Sequence, residues 1–491
     1  MAASPRTRRR LGEPRGGAVS ATDTAPYGWA PLVVLFLVGL VDRIEASLLQ
    51  GTLPLIQAEW GFSDTVGGSI PTAAALASAL VAIPAGYMTD RYSRTRIIAI
   101  VVFCWALTTV GSGLAIGFAM FYAMRVLLAS AEQVDNPAAN SLLADYYPPA
   151  NRPKVYGWTR MTTYLGGIGT IFAGVLGELV GWRATFVIMA IPGVVVAVIC
   201  WRLAEPARGY LDSVIARSGG AKRTPAPAEP AAEEAAATLG PAEQPPGPPL
   251  GESPRTGATP PPADSAADSG GAATATAPPF GRQLRQVMAV PTLMLLSVGL
   301  MLLTAGLLGT AYWMTTYITR AYEVGTAVAG PLSGGSSVIG VVAGTLAGAW
   351  LGRRAHDAVR GGRVTVAAAG TVLGALALVA ALLTESLALF GILLLLSSFL
   401  GALAIPCVMA SVADVVGAHS RGLGFAVLNF LLTLGAALGP LAVGIASDAS
   451  GSLRTAFLIL TVPKLLGGVC MLLCRWSFDR DAEKVLAEAR E

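Results

Sequence analysis

The segment Arg125–Asp135, RVLLASAEQVD, places three charged residues inside an apolar run that extends from residue 118 to residue 143. On a helix that advances about 100° per residue, Arg125 and Glu132 point almost the same way, two turns apart. Asn136 shares that face, and Asp135 lies about 80° around from Arg125. In a bilayer each charge costs about 2.5 kcal/mol or more, so such residues face a bundle interior and mark a substrate or ion path. The segment therefore predicts a helical membrane bundle with a polar working centre.

The composition supports a membrane protein. Of 491 residues, 54% are hydrophobic and 13% are charged, whereas about a quarter of the residues in a soluble domain are charged. The mean hydropathy is +0.61. An ordinary soluble globular protein is therefore excluded.

Twelve apolar runs are long enough to cross a bilayer. They fall into two groups of six, separated by a segment rich in Ala, Pro, Gly and Glu that cannot bury enough apolar surface to fold. The first six runs are 30–53, 66–89, 97–116, 118–143, 156–179 and 183–203, and the second six are 290–319, 327–351, 364–383, 387–412, 421–446 and 454–474.

This pattern divides the chain into five parts. We expect a disordered basic tail over residues 1–26 and a disordered linker over 205–285. The two six-helix halves occupy 27–204 and 286–476, and a polar tail over 477–491 is expected to form a short helix. Basic turns alternate with turns poor in Lys and Arg, which places both termini and the linker in the cytoplasm. The composition, low in Lys and rich in Ala, Arg and Gly, is typical of a GC-rich bacterium, so we expect the chain in the cytoplasmic membrane. We interpret the arginine-rich start as a topology signal and expect no nucleic-acid partner.

The sequence offers no enzyme site. The five cysteines lie mostly in apolar runs without metal-ligand spacing, and we interpret them as small core residues. No nucleophile–base pair, phosphate loop or histidine cluster is visible, so we expect no enzymatic activity, no cofactor and no metal.

The turn between the second and third runs reads GYMTDRYSRTR, residues 86–96. Gly86 would permit a close helix approach, and the Asp90 carboxylate would pair with a basic residue or a helix N-terminus. The turn's three arginines would stay at the anionic inner leaflet. They are Arg91, Arg94 and Arg96.

This turn resembles the signature loop of the major facilitator superfamily. The resemblance implies an all-α membrane protein with the major facilitator fold, in which 12 transmembrane helices form two six-helix halves around a midplane site. It also implies that Gly86, Asp90 and the three arginines act as gate residues. The corresponding turn of the second half, GAWLGRRAHDAVRGGR, has Gly352 where the acidic residue would stand, so this second copy is expected to contribute little.

Further segments resemble the Spinster-like branch of that superfamily. They are VDRIEAS around Asp42, LPLIQAEWGFSD, the Arg125 and Glu132 pair seven residues apart, EPARG at 205–209, and DVVGAHSRGLGFAV. The chain departs from the branch where Ala131-Glu132-Gln133 replaces the usual Gly-Glu-Ala. The resemblance implies proton-linked movement of lysolipid-like or other amphiphilic molecules, with Asp42, Arg125 and Glu132 carrying that role.

The residues support proton coupling independently. The first and fourth runs hold four acids, Asp42, Glu45, Glu132 and Asp135, against two bases, Arg43 and Arg125. A desolvated carboxylate without a basic partner takes up a proton. We therefore predict Asp42, Glu132 and Asp135 as proton-coupling residues. The alternative is a static ion-pair network that only joins the two helices.

The predicted substrate-binding residues are polar side chains in or near the apolar runs. They are Arg43, Glu45, Arg125, Asn136, Asn140, Arg160, Tyr164 and Asn429. Arg160 has the alternative of reaching lipid phosphates. The expected partners are a small amphiphilic substrate, protons and the bilayer, and we expect a monomer.

Three functions remain open at this stage. The first is a secondary active transporter working by alternating access, proton-coupled and moving an amphiphilic, lysophospholipid-like or organic-anion substrate. The second is a proton-driven multidrug exporter of the same superfamily, because cationic substrates suit an excess of acids. The third is a membrane receptor or sensor that keeps the fold without transporting.

Overall fold

The computed structural model describes residues 25–149, 151–209, 280–359, 361–417 and 420–488, together with Leu11 and Leu211. The side chains of Asp90 and Asn136 lie outside this description. So do nearly all of the predicted basic tail and most of the predicted linker. The regular secondary structure of the described part is helical, apart from one isolated β-bridge between Leu11 and Leu203.

The N-terminal half contains seven helices and one 3₁₀ turn that together make six long crossings. Its elements are α1 (Ala30–Trp60), α2 (Asp64–Arg91), α3 (Arg94–Gly113), α4 (Phe118–Tyr146), α5 (Arg152–Met161), the 3₁₀ turn Thr162–Tyr164, α6 (Gly167–Val180) and α7 (Trp182–Trp201). The fifth crossing is therefore α5, the 3₁₀ turn and α6 in sequence.

The C-terminal half also makes six crossings, and in this half the fourth crossing is the interrupted one. Its elements are α8 (Phe280–Met288), α9 (Pro291–Tyr322), α10 (Thr326–Ala358), α11 (Gly362–Leu383), α12 (Leu387–Ala402), α13 (Ala404–Val415), α14 (Arg421–Ser450), α15 (Leu453–Leu473) and α16 (Arg475–Glu488). Helices α12 and α13 make one crossing that is interrupted at Leu403. Pro406 explains the interruption, because its ring clashes with the carbonyl four residues earlier, at Ala402.

Ten crossings of the described chain are long and apolar enough to span a membrane. The two long helices that do not meet this criterion are α1 and α4, which carry the predicted charged cluster. They are held inside the bundle by helix packing. Twelve crossings in two halves confirm the predicted fold class.

The predicted linker begins later than expected. Residues 205–209 pack against the N-terminal half through the Glu205 carboxylate, which accepts bonds from the Arg94 and Thr95 amides at 3.0 Å each. At the other end, α8 includes residues 280–285 of the predicted linker. Residues at both edges of the predicted linker are therefore part of the described structure. The predicted short helix in the C-terminal tail is confirmed by α16.

The two ends of the bundle differ. We call the end at which α1 begins the proximal end, and the end that carries the α1–α2 turn the distal end. Among the described residues, every hydrogen bond between the two halves lies distally, from the bond between the Thr72 hydroxyl and the Ala437 carbonyl outward. The halves are therefore fastened to each other at the distal end in this conformation.

Glycine sets the spacing between α1 and α6. A Cβ on Gly169 of α6 would lie 2.2 Å from the Ile44 carbonyl oxygen of α1, whereas a Cβ on Gly157 of α5 would meet nothing within 4 Å. We expect Gly169→Ala to destabilise the protein by about 1–3 kcal/mol, because backbone must move to admit the methyl group.

The matched control, Gly157→Ala, lies in the same crossing and is expected to be neutral or stabilising by up to about 1 kcal/mol. Thermal unfolding of both purified variants, followed by intrinsic tryptophan fluorescence, measures the difference. Equal melting temperatures for the two variants would show that the α1–α6 contact is looser than described.

Candidate functional site

The six charged residues predicted on the first and fourth runs converge between α1 and α4. The charges that act on Glu132 are those of Asp42, Arg43, Glu45 and Arg125. Asp135 is influenced in turn by Asp42 and Arg43. We call these six residues the α1–α4 cluster. The helical spacing of the sequence had placed Arg125, Glu132 and Asp135 in one wedge of the fourth run. The packing of α1 on α4 brings the charged residues of α1 to them.

Arg43 is paired within its own helix. Its Nε and Nη2 atoms donate to Asp42 Oδ2 at 2.7 Å and 2.5 Å. Asp42 is 6% exposed, and its other oxygen, Oδ1, has no protein partner. One arginine therefore satisfies only one oxygen of one of the four acids.

Arg125 makes no ion pair among the described residues. Its Nε and Nη2 atoms donate to the Ser112 hydroxyl of α3 at 3.1 Å and 2.7 Å. The guanidinium lies over the rings of Phe121 and Phe186, at 5.8 Å and 4.9 Å from their centroids. This buried cation is held by cation–π contacts and a neutral hydroxyl, so it acts on Glu45 and Glu132 only through space.

The Glu45 carboxylate points into the N-terminal half. It accepts a bond from the Thr109 hydroxyl of α3 at 2.9 Å, and its Oε1 lies against Gly193 of α7, where a Cβ would come within 2.8 Å. Oε1 has no protein partner. The sequence had predicted Glu45 as a substrate ligand, but the structure places it between α1, α3 and α7.

The cluster contains unsatisfied carboxylate oxygens. In the described chain, three buried carboxylate oxygens lack a hydrogen-bond partner, Asp42 Oδ1, Glu45 Oε1 and Asp135 Oδ1. All three belong to the cluster. Buried polar atoms are normally paired, and a bare carboxylate oxygen in an apolar environment favours binding a proton.

The remaining predicted ligands are not brought into the cluster. Asn140 of α4, Arg160 of α5 and Asn429 of α14 are exposed, and Tyr164 is half-buried in the 3₁₀ turn. The Asn140 carbonyl accepts a bond from Tyr156 at 2.9 Å. The Asn136 side chain lies outside the described residues.

The signature turn contains a buried ion pair that the sequence did not predict. Arg94 is 1% exposed, although it was expected at the lipid headgroups. Its guanidinium contacts Asp145 of α4 and donates to Glu205 at 3.1 Å. The expectation is wrong because Asp145 and Glu205 offer two carboxylates at the proximal ends of α4 and α7.

Glu205 is strongly stabilised as an anion. Burial alone would raise its pKa, but bonds from Ser93 and from the first amides of α3 outweigh burial and lower the pKa to about 2. The carboxylate caps the positive end of α3. The EPARG segment, residues 205–209, therefore joins the proximal ends of α3 and α7. We call this segment the clasp.

The described contacts of Gly86 and Arg91, two other predicted gate residues, lie within the N-terminal half. A Cβ on Gly86 would meet nothing within 4 Å, so the predicted close approach is wrong for this conformation. The Arg91 guanidinium lies 4.6 Å from the Tyr87 ring centroid, and Arg96 is exposed. The Asp90 side chain lies outside the described residues.

The second half contains an ion pair at the position that corresponds to the Arg94–Asp145 pair. Arg363 at the start of α11 donates to Asp414 near the end of α13 at 2.5 Å. This pair corresponds to Arg94 at the start of α3 and Asp145 near the end of α4. The sequence comparison of the two turns missed it because the partners are 51 residues apart.

Lys464 of α15 is a buried cation of the second half, 3% exposed. The aliphatic part of its side chain packs on Gly306 of α9. A Cβ on Gly306 would lie 2.2 Å from the lysine Cγ. Glu45 and Gly306 are both the sixteenth residue of their helices, and Gly193 and Lys464 are both the twelfth. The two halves thus carry opposite charges at corresponding contacts between their first and sixth crossings.

Two six-helix halves with charges buried in the first and fourth crossings define a multi-pass membrane protein of the transporter type. A model of the Major Facilitator Superfamily matches residues 35–361 and 357–491. The chain therefore belongs to this superfamily, as its signature turn predicted, and it is similar to Spinster proteins among the matches below.

Several transporters are similar in sequence. The cis,cis-muconate transport protein of Acinetobacter baylyi is 31% identical over 173 residues, which cover 35% of this chain and 42% of the relative. The hexuronate transporter of Bacillus subtilis is 27% identical over 175 residues, covering 35% and 42%. The protein spinster of Drosophila melanogaster is 25% identical over 186 residues, covering 38% and 31%. Each match spans less than half of the relative.

Solved structures show the same fold. A bacterial homolog to the human lysosomal transporter Spinster, in an inward-facing and unoccupied conformation, has a TM-score of 0.69 at 21% identity, covering 93% of this chain and 97% of that chain. A D-xylose–proton symporter has a TM-score of 0.59 at 14% identity, covering 90% and 96%.

Proposed function

We propose that this protein is a proton-coupled secondary active transporter that works by alternating access and moves an anionic or amphiphilic organic molecule. The observation that carries the proposal is the group of three buried, unpartnered carboxylate oxygens in the α1–α4 cluster. An acid-rich cluster of this kind binds a proton more readily when water is excluded, so its protonation depends on which end of the bundle is open.

The chemistry of the cluster favours protons over a cationic substrate. Glu45 is turned into the N-terminal half, towards Gly193 and Thr109, and a second acid, Asp42, is bound to its neighbour Arg43. Acids in these positions are poorly placed to contact a drug-sized cation. The multidrug-exporter alternative therefore has less support than the proton-coupled one.

Two substrate classes remain within the proposal. Relatives named for hexuronate and cis,cis-muconate transport support a carboxylate. The Spinster-like relationship supports a lysophospholipid-like amphiphile. The shared chemistry is an organic anion, and Arg125 and Lys464 are buried cations of the two halves.

Uptake by proteoliposomes tests the proposal. Purified protein in liposomes with an imposed inward pH gradient is offered radiolabelled cis,cis-muconate, glucuronate or lysophosphatidylglycerol. We expect accumulation of one class above its equilibrium level, collapsing when a protonophore is added. Binding of a substrate without uptake or counterflow would instead favour a non-transporting receptor, and accumulation that survives the protonophore would contradict proton coupling.

A further inference from the structure

The distal end holds a cluster that joins both halves. Arg320 at the end of α9 donates through Nη1 and Nη2 to the two oxygens of Asp64 at the start of α2, at 2.9 Å each. Gln57 of α1 donates to Asp64 Oδ1 at 2.9 Å, and Ser447 of α14 donates to Asp64 Oδ2 at 2.6 Å. We call these four residues the distal cluster. A bidentate arginine–carboxylate pair is a strong and directional contact.

Beside it, a carboxylate of the second half caps a helix of the first. Asp448 of α14 accepts from the amides of Asp64 at 3.0 Å and Thr65 at 2.8 Å. The third amide of α2, that of Val66, donates to the helix's own cap residue, Ser63. The first two amides of α2, those of Asp64 and Thr65, are therefore satisfied only when the second half is in place.

The reverse contact also exists. Glu178 of α6, in the first half, accepts from the Ala327 amide of α10 at 2.6 Å. The α10 cap position is Gly325, which provides no side-chain cap. A Cβ on Gly325 would lie 2.2 Å from Glu178 Oε2, so a glycine there leaves room for the carboxylate. This helix also relies on the other half for its N-terminal cap.

These contacts are reciprocal. In each case the fifth crossing of one half, α14 or α6, caps the second crossing of the other, α2 or α10. Close glycine packing accompanies both, since Cβ atoms on Gly68 and Gly174 would lie 2.4 Å and 2.5 Å from the Pro440 and Thr326 carbonyl oxygens. We propose that these two caps, which we call the cross-caps, set the energy of the distally closed state together with the distal cluster, and that both caps break whenever the distal end opens.

The cross-caps affect the energy of the closed state because each helix N-terminus would lose amide hydrogen bonds on opening. An opened distal end leaves the Asp64 and Thr65 amides of α2 and the Ala327 amide of α10 without the carboxylates that accept from them. Removing an N-cap typically changes an equilibrium about fivefold. The cross-caps therefore favour the closed distal end in addition to the apolar packing that joins the two halves there, and water can satisfy the freed amides once the halves part.

Spin-label distances test this proposal, which rests on the proposed alternating access. Labels are placed at Ile116→Cys in the α3–α4 turn and Glu385→Cys in the α11–α12 turn, both exposed distal positions, with the five native cysteines replaced by alanine. Double electron–electron resonance then reports the populations of distally closed and open molecules. We expect Asp448→Ala and Glu178→Ala each to raise the open-to-closed ratio about fivefold, and the double variant about 25-fold.

A matched control removes a cap within one half. Ser452 caps α15, accepting from the Thr455 amide at 3.4 Å, so Ser452→Ala is expected to leave the ratio unchanged. Arg320→Gln, which breaks the bidentate pair, is expected to shift it towards the open state.

The outcomes are distinguishable. If neither cross-cap variant shifts the ratio while Arg320→Gln does, the proposed energetic role of the cross-caps is wrong. Alternating access would still stand in that case. An equal shift in Ser452→Ala would also overturn them, because a general loss of helix stability would then suffice. A single distance in the parent and every variant would overturn alternating access as well.

Discussion

Glu132→Gln and Asp42→Asn are each expected to abolish substrate accumulation driven by a pH gradient. A difference of one pH unit is worth about 1.36 kcal/mol per proton, or about tenfold accumulation with one proton per substrate. Both acids lie in the cluster in which acids outnumber bases, and Asp42 carries an unpartnered buried oxygen. An amide keeps the shape of the carboxyl but cannot exchange a proton, so accumulation should fall from about tenfold to about onefold.

Counterflow provides the readout that separates coupling from folding. The variants should still exchange labelled for unlabelled substrate at equal pH, since that exchange requires no net proton movement. The control is Glu59→Gln, an exposed acid at the distal end that pairs with Arg183 at 2.5 Å and should keep full accumulation. Unchanged accumulation in both cluster variants would contradict proton coupling and favour a static ion-pair network between α1 and α4.

Arg94→Met is expected to destabilise the protein by about 3–5 kcal/mol. The arginine is 1% exposed and is shared by Asp145 and Glu205. Its loss would leave two partly buried carboxylates without a counter-ion, and breaking a buried pair in this way costs more than removing both partners. Thermal unfolding of the purified variant and the yield of monodisperse protein measure the effect.

Two further variants show whether the destabilisation comes from the loss of the buried ion pairs. Arg96→Met lies in the same turn but is exposed, so its unfolding should match that of the parent protein. Arg94 also donates to the Ser141 hydroxyl at 2.8 Å. Arg94→Lys keeps the charge but cannot reach both carboxylates and this hydroxyl at once, so an intermediate loss is expected. A melting temperature for Arg94→Met equal to that of Arg96→Met would show that the clasp contributes nothing to stability.

Much of the fold follows from sequence pattern alone. Apolar runs of spanning length and the break in composition after residue 204 predict two groups of six crossings. The helical angle between Arg125 and Glu132 predicts one polar face, and this face meets α1 in the structure. The helix starts at Ser63 and Ser93 follow the usual cap chemistry, since each serine hydroxyl accepts a hydrogen bond from the amide three residues later.

Contacts between distant segments are what sequence pattern did not reveal. The orientation of Glu45 depends on Gly193 and Thr109, which lie on other helices. The burial of Arg94 depends on Asp145 and Glu205, which are 51 and 111 residues away. Both acids follow apolar runs directly, so an acid at a predicted proximal helix end was an available signal.

The sequence pattern also did not predict the contacts between the two halves at the distal end. Asp64 and Asp448 are separated by 384 residues and belong to different halves, so no local spacing connects them. The available signals were Ser63-Asp64 at a helix start and Asp448 near a helix end. Their pairing becomes visible only when the two halves are placed together, because it depends on the conformational state as well as on the fold.

The central claim is that proton binding at the α1–α4 cluster is linked to substrate movement. Its most direct test is to enclose a pH-sensitive dye in proteoliposomes and add substrate outside, with no imposed gradient and with the membrane potential clamped. The account predicts a pH change that follows substrate uptake in the parent protein and is absent in Glu132→Gln. Substrate uptake with no pH change in the parent protein, or an equal change in Glu132→Gln, would contradict it.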